Sequence, residues 1–261
     1  MQNCYRLAVL TLLLSCSLAQ AGACSKTVRW YDDSPYFQSG KAGVVSGFTA
    51  DVIREALSRL GCQAVFVKMP FARALVELES GRLDVLPDAL RKPERQRFAY
   101  FSHAAAMGVP NVLFTSVEAA RKYKPQKLED LAGTGFRLGV QIGVTYGGNF
   151  EQLAARPDFK AQLSPVTERR NAWKMVALGR LDGMIADLAS GTVELRQLGL
   201  TSQVQPSKVV VSTEAPAYAF SRRTTDLAFV QRFNGALDSM AADGSYRAIM
   251  DKYLPGTAPA Q

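Results

Sequence analysis

The sequence predicts an α/β protein of two similar lobes, each a mostly parallel sheet flanked by helices, joined by a two-strand hinge. Two observations carry that expectation. Short apolar runs alternate with amphipathic helical segments, the order that builds parallel sheets with right-handed crossovers. In addition, SGRLDVLPDAL at 80–90 recurs as LGRLDGMIADLAS at 178–190. Each copy has a glycine that ends a helix (Gly81, Gly179), an Arg-Leu-Asp step, an apolar strand and an aspartate at its far end (Asp88, Asp187). The spacing of about one hundred residues is too long for a solenoid, whose period is about 20–50, and points to two lobes built alike.

Taken in order, the chain begins with a cation, Arg6, followed by the apolar run Leu7 to Leu14 and the small-residue triplet Ala19-Gln20-Ala21. Residues 1–21 read as a secretory signal cleaved after Ala21, because the run is shorter than the about 20 residues a membrane span needs. The alternative is a lipid-attachment box, Leu13-Leu14-Ser15-Cys16, acylated at Cys16. Export leaves Cys24 and Cys62 in a compartment where disulfides persist. They precede the apolar stretches Val28 to Tyr31 and Ala64 to Val67, so a Cys24–Cys62 bridge follows if those are neighbouring parallel strands; two buried thiols are the alternative.

Gly47-Phe48-Thr49 then opens a helix with Val52, Ile53, Ala56, Leu57 and Leu60 on one face, Thr49 as N-cap and Gly61 as stop. A second helix runs from Pro70 through Phe71, Ala74, Leu75 and Leu78 to Gly81, and Leu83 to Leu86 reads as a strand. The first lobe runs out at the strand-like VPNVLF, ahead of the charged stretch Glu118 to Lys127. The second spans FRLGVQIG through SKVVVS. Beyond Glu214-Ala215-Pro216 come a short apolar run, Tyr218 to Phe220, and a long helix with Leu227, Val230, Phe233, Leu237 and Met240 on one face.

The formal charge of +8 is scattered without a dominant run, and export argues against a nucleic-acid partner; acidic solutes, anionic lipid or an acidic protein surface fit better. Catalytic signatures are thin. His103 is the only histidine, and no nucleophile elbow, Walker loop, zinc-protease motif or metal-spaced cysteine pair occurs. No metal or cofactor is expected.

Six stretches in sequence order carry a family resemblance: GFTADVIREALSRLG, ESGRLDV, PERQRFAYFS, GVQIGVTY, LGRLDGMIAD and DGSYRAIMDKYL. Together they resemble the family 3 extracellular solute-binding proteins, periplasmic receptors of polar amino-acid ABC transporters. The resemblance implies a type II-like periplasmic binding fold. Lobe 1 would comprise residues 22–112 and 214–261, lobe 2 residues 113–213, and the ligand would lie beyond the carboxyl ends of the strands. It also implies a periplasmic monomer that carries an amino acid or small amine to an inner-membrane ABC permease.

Residue by residue, the resemblance makes Arg95 a guanidinium fork for a ligand carboxylate, with a structural salt bridge as the alternative. Its neighbours Arg91, Lys92 and Arg97 read as solvated. Asp187 would receive an α-ammonium group, or else cap the helix that follows. Thr145, near a helix start, would add a hydroxyl and backbone N–H groups. Phe71 and Tyr36 would supply aromatic walls, and Asp33 would meet a distal cation or cap a turn before Pro35. Where the family offers small or hydroxyl residues, this chain has Asp88, which would repel a ligand carboxylate unless Arg95 or Arg73 neutralises it. That departure favours a more cationic solute. It also keeps open an enzyme resembling cyclohexadienyl dehydratase, with Asp88 as its acid, and a sensory or partner-docking module without a solute.

Overall fold

The computed structural model describes residues 24–40, 43–104 and 109–254. The signal segment, its cleavage point and Cys16 lie outside the described residues.

The first lobe opens with β1 (Cys24–Trp30), the short pair β2 (Gln38–Ser39) and β3 (Val45–Ser46), α1 (Phe48–Arg59), β4 (Cys62–Lys68), α2 (Phe71–Ser80), β5 (Val85–Ala89), α3 (Pro93–Gln96) and β6 (Ala99–Ala104). The second lobe follows as β7 (Asn111–Ser116), α4 (Val117–Tyr123), β8 (Leu138–Gln141), α5 (Gly148–Ala154), α6 (Pro157–Lys160), β9 (Leu163–Val166), α7 (Arg169–Ala177), β10 (Gly183–Asp187), α8 (Leu188–Leu198) and β11 (Val204–Ser212). The chain returns through β12 (Ala217–Ser221), and α9 (Leu227–Ala242) and α10 (Ser245–Tyr253) complete the first lobe.

The two sheets have matching plans, β4-β1-β5-β12-β6 and β11-β7-β10-β8-β9. In each, three strands run parallel (β4, β1, β5 and β10, β8, β9) and two antiparallel contacts follow. Because β6 and β11 run in the direction of those parallel strands, four of the five strands in each sheet share one direction and a single strand is reversed. The strand arriving from the other lobe, β12 or β7, enters antiparallel to the βαβ strands and pairs on both sides that way. One correction concerns the boundary: β7 pairs from Asn111 to Ser116 within the second sheet, so Asn111 and Val112 belong there and not with the first lobe.

The internal repeat supplies the central strand of each sheet, β5 and β10. The Asp common to both copies is a brace. Asp84 accepts from the backbone N–H of Thr27 at 2.7 Å in β1, and Asp182 accepts from that of Arg137 at 2.8 Å just ahead of β8. Each thus ties the centre strand to its parallel neighbour, and leaves the aspartate at the strand's far end free for other work. The glycines before both steps, Gly81 and Gly179, are left-handed as helix stops require.

Helix α1 starts two residues earlier than its sequence suggests. Gly47, at φ 126°, is the N-cap, and Thr49 lies inside the helix, buried. The helix packs so tightly on the β1–β2 loop that a Cβ at Gly47 would sit 2.3 Å from the Tyr36 carbonyl oxygen. Its apolar face, with Val52, Ile53 and Leu57, meets Phe229, Phe233 and Met240 of α9 in one core. Both chain ends therefore build one lobe, since each amphipathic face buries the other. In the second lobe, Met184 and Ala186 of β10 face one core and Ile185 the other, the period-two alternation of a sheet covered on both sides.

Cys24 and Cys62 are in register at the start of β1 and β4 with Cα atoms 4.4 Å apart, and they form a disulfide. The bridge closes a loop with a sequence separation of 38. Reduction or Cys62→Ser is expected to lower the unfolding free energy by about 2–4 kcal/mol, measured by urea denaturation with and without reductant.

Candidate functional site

Two adjoining cavities lie between the lobes, at the carboxyl ends of the central strands. The inner one, of about 150 Å³, is lined by Asp33, Tyr36, Phe71 and Asp88 from the first lobe and by Thr145 and Asp187 from the second. The outer one, of about 270 Å³, is lined by Tyr31, Asp32, Lys68, Glu168, Arg170 and Glu194 among others. Arg29, Asp33, Gln141 and Arg169 line both.

Local structure explains how these side chains arrive. The loop after β1 folds back on itself, with Asp33 N–H to the Phe37 carbonyl at 2.9 Å and Tyr36 N–H to the Asp33 carbonyl at 2.8 Å. Asp33 and Tyr36 are thereby turned toward the second lobe. Asp187 ends β10 and caps α8, accepting from Ser190 N–H at 2.9 Å, and the same oxygen accepts the Tyr36 hydroxyl at 3.0 Å. The cap and the cavity wall are one carboxylate. Asp88, the penultimate residue of β5, has a left-handed conformation, φ 57°, and accepts from the Thr49 hydroxyl at 3.4 Å.

Several residues differ from their expected roles. Arg73 does not approach Asp88: its side chain is 63% exposed and pairs with Glu77 one helical turn along α2. Arg95 is 6% exposed but lines neither cavity. Its Nη1 donates to the Leu90 carbonyl at 3.0 Å and its Nη2 to the Gly143 carbonyl of the second lobe at 2.9 Å, so both ends of its fork are occupied by backbone. Thr145 lines the inner cavity, but its hydroxyl is bonded to Glu151, which Lys92 also engages. Phe71 walls the cavity and carries the guanidinium carbons of Arg29 and Arg95 at 5.7 and 5.6 Å from its centroid. His103 is exposed on β6.

Sequence reasoning missed Arg29 and Arg169. Arg169, the first residue of α7, bonds Asp33 of the first lobe and clamps Glu194 through Nε at 2.8 Å and Nη2 at 3.0 Å. Glu194 also accepts the Trp173 indole N–H at 2.6 Å. Across the same interface, the Tyr31 hydroxyl donates to Glu168 at 3.0 Å. For Arg29 there was a signal: a cation inside the apolar run TVRWY, where a charge is buried only with a purpose. Arg169 had none, because its partners are remote in sequence.

The cavity is electrostatically acidic. Burial pushes Asp88 up to about 7, and nearby Asp33 adds to the effect against the opposing pull of Arg29 and the Thr49 hydrogen bond. Burial likewise raises Asp187 to about 6, opposed by the Ser190 N–H and reinforced by Asp33. Tyr36 is raised well above the usual phenol value, first by burial and then by the Asp187 charge. Carboxylates so placed gain from a cation that restores the lost solvation. No cluster of metal-ligating side chains occurs among the described residues, and no described helix is long and apolar enough to cross a membrane.

Two α/β lobes shut on a polar cavity at the strand ends define a bilobal binding protein. The chain belongs to the bacterial extracellular solute-binding proteins, family 3, whose family model matches residues 27–256. It is 23% identical over 225 residues to an ABC transporter arginine-binding protein 1 of Escherichia coli, covering 85% of this chain and 86% of that one. It is also 23% identical over 231 residues to an L-arginine-binding protein of Pseudomonas aeruginosa, covering 84% and 83%. In fold it is similar to an ancestral arginine-binding protein bound to arginine, with a TM-score of 0.75 at 22% identity over 88% of this chain and 98% of that structure.

The raised carboxyls set a pH dependence. Asp88, at about 7, and Asp187, at about 6, bind protons more tightly folded than unfolded. Their contribution to stability is fully present below about pH 4 and is lost as pH rises through 6 to 7. The empty protein is expected to melt at a lower temperature at about pH 8 than at about pH 5. In thermal melts Asp88→Asn should flatten most of that difference.

Proposed function

We propose that this protein is an exported, periplasmic, monomeric receptor that captures an amino-acid-like solute or small amine between its lobes and delivers it to an inner-membrane ABC permease. The observation that carries the reading is the acidic inner cavity, walled from both lobes by Asp33, Asp88 and Asp187 with Tyr36 between them. A cationic group placed there replaces the water that closure removes from three carboxylates, and it is held by charge-assisted hydrogen bonds. Phe71 and Tyr218 supply flat apolar walls for an aliphatic stem. The arginine-binding relatives fit that charge pattern.

Asp88 supports a second reading, an elimination enzyme on the same scaffold. A carboxyl that is half protonated near neutrality, at about 7, is a competent proton donor in a closed cavity. Turnover of prephenate or arogenate that disappears in Asp88→Asn would establish the enzyme over the receptor.

For the receptor, a thermal-shift screen over amino acids, polyamines and small organic acids should give one or a few solutes that raise the melting temperature, because binding stabilises the folded form alone. Asp187→Asn should weaken the best of them about 10- to 100-fold by calorimetry, the loss of one charged hydrogen bond of roughly 1.5–3 kcal/mol. A solute that binds both forms alike would remove Asp187 from the site.

A further inference from the structure

We propose that Asp88 and Tyr218 form a second cation subsite on the first lobe, which a positive group of the solute enters in exchange for a proton, so that binding tightens as the pH rises. The inference rests on the receptor reading above and names the chemistry of its solute: two positive groups on one short chain, one for each lobe.

Four acids line the inner cavity: Asp33, Asp88, Asp187 and Glu214. Two of them are settled. Asp33 is paired with Arg169, and Glu214 is exposed and accepts the Gly148 N–H at 2.9 Å. Asp88 and Asp187 have no ion pair within 4.0 Å among the described residues. Asp187 has two donors, the Ser190 N–H and the Tyr36 hydroxyl. Asp88 has one long bond, 3.4 Å from the Thr49 hydroxyl. The two acids stand on opposite lobes, on β5 and β10. At Asp88 the charge of Asp33 outweighs that of Asp187, so the unpaired acids are separate stations and not one shared site.

The groups that face Asp88 are Arg29, Asp33 and Tyr36 from β1 and the loop after it, Thr49 from α1, Asp187 from the second lobe and Tyr218 from β12. Arg29 is the one cation among them, and its charge acts on Asp33 as well. Closure takes water from Asp88 without giving it a cation in return, and a carboxyl so placed keeps its proton. Burial pushes it up to about 7, so near neutrality about half of the solute-free molecules hold a proton there. An arriving ammonium or guanidinium reverses the balance. It donates to the carboxylate, the carboxyl proton leaves to solvent, and no bond of the solute changes. Tyr218 completes the corner. It is 5% exposed, lines the cavity and feels the Asp88 charge. Its ring is fixed edge-on against Phe233, with centroids 5.2 Å apart, and a fixed ring face accommodates a cation.

The test uses pairs of similar skeleton that differ by one positive group: arginine and citrulline, lysine and norleucine, ornithine and norvaline, putrescine and butylamine. Each is titrated against the full exported protein by calorimetry. In at least one pair the member with the extra positive group should bind at least about 10-fold more tightly at pH 8. Its affinity should rise about 10-fold from pH 6 to pH 8, with release of about half a proton at pH 7, read from binding enthalpies in buffers of different ionisation enthalpy. Asp88→Asn should bring the ratio within the pair to about threefold or less and flatten the rise with pH. An aspartate with a merely structural role would weaken both members alike and leave the proton count unmoved, and that result overturns the proposal. Equal binding of both members by the native protein also overturns it and leaves the receptor reading standing, as does an affinity that is level or falls from pH 6 to pH 8. Both of these are read on the native protein, so they decide the matter even if the variant does not fold. If none of the eight compounds binds, the amino-acid and amine reading fails, and this inference with it.

Discussion

The closed arrangement depends on one buried guanidinium. Arg169 reaches from the second lobe to Asp33 of the first and at the same time clamps Glu194, whose remaining acceptor capacity the Trp173 indole N–H uses. Such a cluster adds little net stability compared with apolar packing, yet removing any member strands a charge in the interior, which costs roughly 3–5 kcal/mol. It therefore acts as a register device. The lobes can separate only by breaking the Arg169–Asp33 ion pair, which water must then solvate.

Around that anchor the other inter-lobe hydrogen bonds are individually weak, and Val144 and Ala189 add small apolar contacts to the first lobe. Tyr36 meets Asp187, Tyr31 meets Glu168, Arg95 meets the Gly143 carbonyl and Lys92 meets Glu151. Hydrogen bonds of this kind, each with at least one charged partner, are worth about 1–3 kcal/mol each net of water. An interface built from them opens more readily than an apolar one, and a solute that adds a few bonds of its own shifts the balance toward closure. Burial raises Asp88 and Asp187, and a cationic group placed beside them would draw both back down.

Duplication of the lobe explains where the acids stand. The two copies of the Gly-Arg-Leu-Asp strand become the central strands of the two sheets, with Asp84 and Asp182 as braces and Asp88 and Asp187 at the open ends. When the lobes shut face to face, both strand ends point into one cavity. A cavity with two acidic walls is the geometric result of repeating one strand motif on each side.

What could be read in the sequence was whatever neighbours along the chain decide: the helices of period 3.6, the glycine stops, the repeat, the paired cysteines, and the aspartates at the ends of β5 and β10. Thr49 and the boundary at Asn111 were misread because capping and strand pairing turn on a single residue's backbone. The one reversed strand in each sheet was not legible, because its direction is set by a chain that returns from another lobe. The roles of the arginines were beyond reach of any local pattern. The acceptors that Arg95 and Arg169 meet include the Gly143 carbonyl, Asp33 and Glu194. Those partners lie 25 to 136 residues away and meet only when the tertiary structure forms.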